Sequence, residues 1–310
     1  MSRLQADLLL LLAAAVWGFG YLFQKTAMAD VGPFTFVASR AIVAALCLAV
    51  VAGFEARRAP MPMPRPLLRT AVVAGVLFFV AAAVQQSGMV TASVTNTGFL
   101  TALYVVTTPL IAWAVFRRTP GRIVWPAVAL AFAGVWLLGG GSIGGLSPGD
   151  ILVAASAIGW SAHLLVVSGA ASHGRPIAFT AIQFAVVAVC AGAAALIAEP
   201  VSLAALAAAA PSILYVGVLS SAFTFAVLAA ALRHTPPTEA AILVSTEVLF
   251  AAFAGVVFLG DRLTAVGWVG AALMFAATLL VQAGPWLTRG KAAPLPVEPA
   301  IPPDSGPAER

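Results

Sequence analysis

Asp7–Lys25 reads DLLLLLAAAVWGFGYLFQK, and Asp150–Ser168 reads DILVAASAIGWSAHLLVVS. Laid over each other with a shift of 143 residues, Asp7 falls on Asp150 and Trp17 on Trp160. The same shift carries Pro33 onto Pro176, Phe36 onto Phe179 and Cys47 onto Cys190. Alanine pairs recur by accident in such sequence, but Asp, Trp, Pro and Cys pairs do not, so the chain is an internal duplication. At nearly the same shift Gly75-Val76-Leu77 falls on Gly217-Val218-Leu219, while the later helices align only with a gap.

What is duplicated is built for lipid. The 310 residues are 62% hydrophobic and only 9% charged, with a mean hydropathy of +1.03. A soluble domain carries about 25% charged residues, and so few charges could not solvate a surface of this size. A soluble enzyme, a nucleic-acid module and a disordered chain are thereby excluded. The net charge of +5 comes from short Lys/Arg clusters between apolar runs, not from one basic face, so it reports topology and no nucleic-acid partner. Cys47 and Cys190 both lie inside apolar runs and are expected as reduced thiols. The first apolar run continues into a full span, without the small-residue cleavage site of a signal peptide.

A helix needs about 20 apolar residues to cross the hydrocarbon core. Ten such runs are present. The first five are Leu4–Gln24, Pro33–Phe54, Leu67–Ser87, Ser93–Phe116 and Ile123–Gly141. The second five are Asp150–Ala170, Ile177–Ala198, Ser212–Leu232, Thr238–Leu259 and Ala265–Ala283. With both termini inside, the cytoplasmic segments hold Arg3, the group Arg57, Arg58, Arg65 and Arg69, the group Arg117, Arg118 and Arg122, then Arg175, Arg233, Arg289, Lys291 and Arg310. The outer side keeps little beyond Lys25 and Arg262. Excess Lys and Arg marks cytoplasmic loops, so the N-in, C-in topology follows. Asp30, Asp150, Glu199 and Asp261 fall outside. Residues 1–145 form the first repeat, residues 146–284 the second, and 285–310 a Pro-rich cytoplasmic tail expected to be disordered.

Five spans per copy is an odd number, so the second copy enters the membrane upside down. The expected fold is an all-α polytopic membrane protein: ten helices as two inverted five-helix repeats around a central cavity. Inverted repeats characterise secondary transporters, whose site lies near the midplane at the repeat interface.

An ionisable group at mid-membrane is costly and marks a functional site by default. Glu247 lies about 13 Å from the inner end of its span and is the candidate proton carrier or partner of a substrate ammonium. Its structural alternative is a hydrogen bond that pins the ninth span. Arg40 lies about 10 Å from the outer end of the second span. It either meets a substrate carboxylate or, as the favoured reading, plays a structural part, snorkelling or tying its helix to neighbouring carbonyls. Its repeat mate is Gln183, so the charge is not duplicated. Lys25 stands near a span end, where snorkelling competes with any coupling role.

Trp17 and Trp160 fall at mid-depth, where interfacial belts do not explain them. Facing each other across the pseudo-two-fold axis, they would wall an aromatic cavity; ordinary helix packing is the equal alternative. Tyr21 shares a face with Trp17, and Tyr104, Phe223 and Thr224 join at similar depth. His163 follows Trp160 by three residues and reads first as a satisfied structural group. Gln85, Asn96 and Thr97 bracket a short outer turn, lining an entrance or capping helix ends. Pro109 is expected to kink the fourth span.

No metal-binding, Walker or C-x-x-C motif is present. Gly159-Trp160-Ser161-Ala162 only grazes the G-x-S-x-G hydrolase pattern, so no enzymatic function, cofactor or ATPase subunit is expected. The expected partners are a small-molecule substrate and membrane lipid. Gly267 and Gly270 permit close helix approach in lipid.

These segments resemble the drug/metabolite transporter superfamily, in particular its EamA-type ten-span exporters, over residues 4–284. The first span, AAAVWGFGYLFQK ending at Lys25, resembles the family's pairing of Trp-Gly with a later Lys. Pro33 with Arg40 resembles its second span. The most specific stretch runs from Gln85 to Pro109, where Gln85, Gly88, Gly98, Phe99, Leu100, Tyr104 and Pro109 fit. Glu247, followed by FLGDRLT at Phe258–Thr264, resembles the family's Glu-Pro and LGERLT. Val248 stands where Pro is usual, Asp261 where Glu is usual, and Arg117-Arg118-Thr119-Pro120 where an acidic turn is usual. The resemblance implies an exporter of a bacterial cytoplasmic membrane working by alternating access. Its members move amino acids, nucleosides, sugars, carboxylates and toxic compounds. Aromatic side chains beside a few polar groups suit neutral or aromatic amino acids. A flippase for a lipid-linked or sugar-bearing substrate and a passive facilitator are the alternatives.

Overall fold

A computed structural model of the chain describes residues 2–58, 62–117, 119–142, 145–170, 175–231, 234 and 243–287. All regular structure among the described residues is helical. Eight helices are long and apolar enough to cross a membrane, and two shorter apolar helices, Val124–Leu138 and Leu243–Leu259, stand at the fifth and ninth expected runs. The tail from residue 288, with Arg289, Lys291 and Arg310, lies outside the described residues, as do Arg118 and Arg233.

The first repeat holds α1 (Arg3–Ala27), α2 (Pro33–Arg58), α3 (Arg65–Gly88), α4 (Val94–Thr101), α5 (Tyr104–Phe116) and α6 (Val124–Leu138). The second holds α7 (Pro148–Ala170), α8 (Pro176–Ala198), α9 (Leu203–Leu214), a π-helical stretch Tyr215–Phe223, α10 (Thr224–Ala231), α11 (Glu247–Leu259) and α12 (Ala265–Leu287). Local chemistry sets several starts. Ser2 and Gln5 close a capping box at α1, satisfying two orphan N–H donors. Pro33 and Pro176 open α2 and α8, where a missing N–H costs nothing.

Three runs depart from the expected straight helices. The fourth is interrupted at Ala102–Leu103, not at Pro109, which continues inside α5. Leu103, Val105 and Val106 bond carbonyls only three residues back, the tighter 3₁₀ pattern. The eighth starts at Leu203, about nine residues earlier than Ser212, because Ser202 caps it by accepting from the Ala205 N–H. Pro211 lies inside the helix, four residues before the π stretch opens. The ninth breaks at Thr246, directly before Glu247, and the Leu249 N–H bonds the Thr246 carbonyl three residues back. The break forms although Val248 replaces the usual proline.

Packing reveals an inverted two-fold relation in atomic detail. At Gly75 an added Cβ would press on the Val186 side chain and the Gln183 carbonyl. At Gly217 it would press on the Val43 side chain and the Arg40 carbonyl. Val43 and Val186, and Arg40 and Gln183, are partners in the 143-residue shift, so each repeat docks its third-run glycine on the same spot of the other. Helices α2 and α8 pack side by side and run antiparallel. Glu199, just past the end of α8, accepts from the Phe34 and Thr35 N–H groups at the start of α2, each at 2.8 Å, and from the Thr35 hydroxyl at 2.7 Å. Glu55, near the end of α2, accepts from the Ile177 and Ala178 N–H groups at the start of α8, at 3.2 and 3.0 Å. Each carboxylate thus meets the positive end of its neighbour's helix dipole. Helices α6 and α12 cross at Gly134 and Gly270, where either glycine's Cβ would clash with the other's carbonyl.

Small residues fill the interior, among them Ala44, Ala74, Ala157 and Ala254, while Phe132, Val189 and Ile197 point outward at 71, 72 and 88% exposure. Water would penalise that arrangement and lipid favours it. Cys47 and Cys190 are free, half-buried thiols.

Candidate functional site

The interruptions of the fourth and ninth runs meet in the middle of the bundle, where α4 packs against α11. Tyr104 is the first residue after one break and Glu247 the first after the other. They are structural counterparts, as their matched contacts show. Each rests on the first helix of the opposite repeat. The Ser161 hydroxyl of α7 donates to the Tyr104 carbonyl at 3.1 Å. Gly18 of α1 lies under the Glu247 carbonyl, where a Cβ would come to 2.5 Å. Gly18 and Ser161 are again repeat mates. Interrupted helices at mid-depth expose backbone and polar side chains only where protein or a cavity surrounds them, and in transporters they hold the substrate.

Around this pair the sequence candidates Tyr21, Gln85, Tyr104 and Glu247 come together. Tyr21 stands beside Gln85, Thr101, Glu247 and Tyr104. Gln85 donates to the Thr101 hydroxyl at 2.6 Å. Tyr21, Gln85, Thr101 and Glu247 are all buried, at 7, 4, 5 and 8% exposure. Arg40 is buried as well and stands within electrostatic reach of Tyr21. Among the described residues it donates to no carbonyl, so the tie to carbonyls does not form; the Phe36 ring centroid lies 6.0 Å from its guanidinium. A slight apolar dimple, lined by Phe99, Leu103, Val106, Met274 and Thr278, borders the fourth run and offers no charged group.

The tryptophans do not face each other. Three phenylalanines join them in a chain of edge-to-face contacts: Trp17 to Phe225, Phe225 to Phe184, Phe184 to Phe78 and Phe78 to Trp160. Trp17 Nε1 donates at 2.7 Å to the Ser220 carbonyl, which lies in the π stretch. The irregular winding there turns a carbonyl toward α1. Trp160 Nε1, against a regular α3, is buried without an acceptor. His163 is held by Gln183 at 2.7 Å and by the Phe78 ring, as a structural group would be. The Thr224 hydroxyl returns to the Ser220 carbonyl at 2.7 Å, and Phe223 points outward at 38% exposure, so neither presents its side chain to the Tyr21–Glu247 cluster.

At the end of α3, Lys25 donates to the Met89 and Val90 carbonyls at 2.7 and 3.0 Å, closing a helix C-terminus as cations do. Asn96 donates to Asp150 at 3.1 Å, and Asp261 accepts from the Thr95 N–H at 2.9 Å. These contacts tie one end of the bundle together and lie apart from Glu247. Sequence reasoning missed Thr101, Ser161 and Ser220, because a lone hydroxyl residue in an apolar run carries no signal. The correspondence of Tyr104 with Glu247 is hidden as well, because the later helices align only with a gap.

The EamA-like transporter family model matches residues 4–140 and again 147–283. An "Uncharacterized transporter" of Archaeoglobus fulgidus is 28% identical over 289 residues, covering 91% of this chain and 87% of the relative. The "Uncharacterized transporter YwfM" of Bacillus subtilis is 27% identical over 295 residues, covering 90% of this chain and 94% of the relative. A solved structure described only as "Crystal structure of protein" superposes with a TM-score of 0.65 at 16% identity, over 94% of this chain and 100% of that one, and supports the fold alone. Matched once in each inverted half by the same family, the chain belongs to the EamA-like transporters and is a multi-pass membrane transport protein.

Proposed function

We propose that this transporter exports small metabolites, neutral or aromatic amino acids foremost, across a bacterial cytoplasmic membrane by alternating access, with both termini inside. The observation that carries the reading is the meeting of two symmetry-related helix breaks at Tyr104 and Glu247. A site on the pseudo-two-fold axis is equally deep from both sides, so rocking of the repeats can present it to either. The aromatic rings of Tyr21 and Tyr104 suit an apolar side chain, and Glu247 suits a proton or an ammonium in turn. Competition of those two cations for one carboxylate would couple export to proton entry.

The test is counterflow in proteoliposomes loaded with a panel of unlabelled amino acids, following entry of labelled phenylalanine and threonine. Entry above empty vesicles, with phenylalanine preferred, is the expected result. No entry with any panel member, from folded protein, would reject amino acids as the cargo and turn the search to sugars, nucleosides and lipid-linked substrates.

A further inference from the structure

Among the described residues two charged side chains are buried with no ion pair and no hydrogen bond to their charged heads: Arg40 at 7% exposure and Glu247 at 8%. Burying a charge without a partner is costly, and one kept that way marks a place where a partner arrives. Tyr21 stands within electrostatic reach of both. Counted along their helices at 1.5 Å per residue, Arg40 lies roughly 10 Å from the start of α2 and Glu247 roughly 18 Å from the end of α11. Counted the same way, Tyr21 lies roughly 9 Å from the end of α1, level with Arg40, and Glu247 is roughly 8 Å deeper.

The second repeat shows what a satisfied version looks like. Gln183, the mate of Arg40, bonds His163 of α7 at 2.7 Å. The mate of His163 is Gly20 of α1, which has no side chain to offer. Two positions that pair in one half are thus a cation and a glycine in the other. The place beside Gly20 is lined by the Ser220 hydroxyl, 3.0 Å from where a Cβ would stand.

We infer that Arg40 is the anion-docking residue of the transport site: it receives the substrate carboxylate while Glu247 receives the ammonium, so that the cargo is a zwitterion laid across Tyr21. A charge-assisted hydrogen bond at each end would hold the two charged groups of the zwitterion. The assignment rests on the amino-acid reading for the name of the cargo, but the anion-docking role of Arg40 is separable from it.

The experiment uses the full-length protein in proteoliposomes loaded with unlabelled phenylalanine. Entry of labelled phenylalanine competes with phenylalanine, with phenethylamine, which lacks the carboxylate, and with 3-phenylpropionate, which lacks the ammonium. The native protein is expected to prefer phenylalanine to either analogue by tenfold or more. Arg40→Gln is expected to lose at least tenfold in affinity for phenylalanine and to hold phenethylamine within twofold, and Arg40→Lys to recover part of the loss. Gly20→Asp, which keeps Arg40 but gives it an internal counter-ion, is expected to imitate Arg40→Gln and decides the matter if that variant does not fold. Native affinity for phenylalanine in Arg40→Gln, or in Gly20→Asp, overturns the assignment. If the native protein carries no amino acid, the cargo reading alone has failed. Thermal unfolding of the purified protein with inorganic phosphate, 3-phenylpropionate and glucuronate then tests Arg40 directly. A shift lost in Arg40→Gln supports anion docking, and no shift, or an equal shift in that variant, rejects it.

Discussion

Glu247 and Lys25 are both membrane-embedded charges by sequence, and their surroundings divide them. Lys25 donates to the two carbonyls just past the end of α3, so its charge serves to close a helix. Glu247 has a free carboxylate at a helix break, facing Tyr21. A group left available to a travelling cation is the one expected to set the pH response. Glu247→Gln is expected to abolish transport driven by a pH gradient while exchange survives at a raised KM. Measurement of uptake with and without an imposed gradient checks this, and an unchanged dependence on pH would remove Glu247 from coupling. Trp17 and Trp160 teach a similar lesson. They are mates in sequence, yet one indole N–H is satisfied and the other is not. The difference lies in the winding of the helix each one meets, which no single residue reveals.

At the scale of elements, helix ends are where polar chemistry was spent. Glu199 holds three donors at the start of α2, and Glu55 holds two at the start of α8. Hydrogen bonds to a charged group contribute about 1.5–3 kcal/mol, less where solvent screens them. Glu199→Ala is expected to lower stability by about 2 kcal/mol and Glu55→Ala by less, since Glu55 makes fewer and longer bonds. Thermal unfolding in detergent gives both values, and equal stability of all three proteins would show the contacts to be incidental. From sequence Glu199 reads only as an outer loop acid, and its work as a cap for a helix 164 residues away is invisible. Helix existence was legible because long apolar runs in lipid have no other backbone solution. The breaks at Ala102–Leu103 and Thr246 were not, because Pro109 and the Glu-Pro motif drew attention to proline. Both breaks form where no proline stands, held by packing of the two halves against each other.

For the whole molecule, the duplication has a geometrical consequence that the matched contacts at Gly75 and Gly217 make concrete. Two copies related by a two-fold axis in the membrane plane must run in opposite senses, so α2 and α8 start on opposite faces. With both termini inside, a membrane-impermeant maleimide is expected to label Asp30→Cys and Val201→Cys in intact cells, both exposed positions. Ser2→Cys is expected to react only after the membrane is opened. Labelling of Ser2→Cys in intact cells would reverse the topology.

The sequence by itself determined the class of fold, the duplication and the family. Composition decides which solvent the surface tolerates, and five spans per copy force the inversion. It also nominated Tyr21, Gln85, Tyr104 and Glu247, which the bundle brings to one place. Only the tertiary structure decided which nominated charges are already partnered, that Arg40 is left without a tie, and that Phe223 faces outward. Spans that are apolar on every side carry little periodicity to say which face turns inward. That choice is made by small residues such as Gly18 and Gly217, whose role is defined by the neighbour that approaches them.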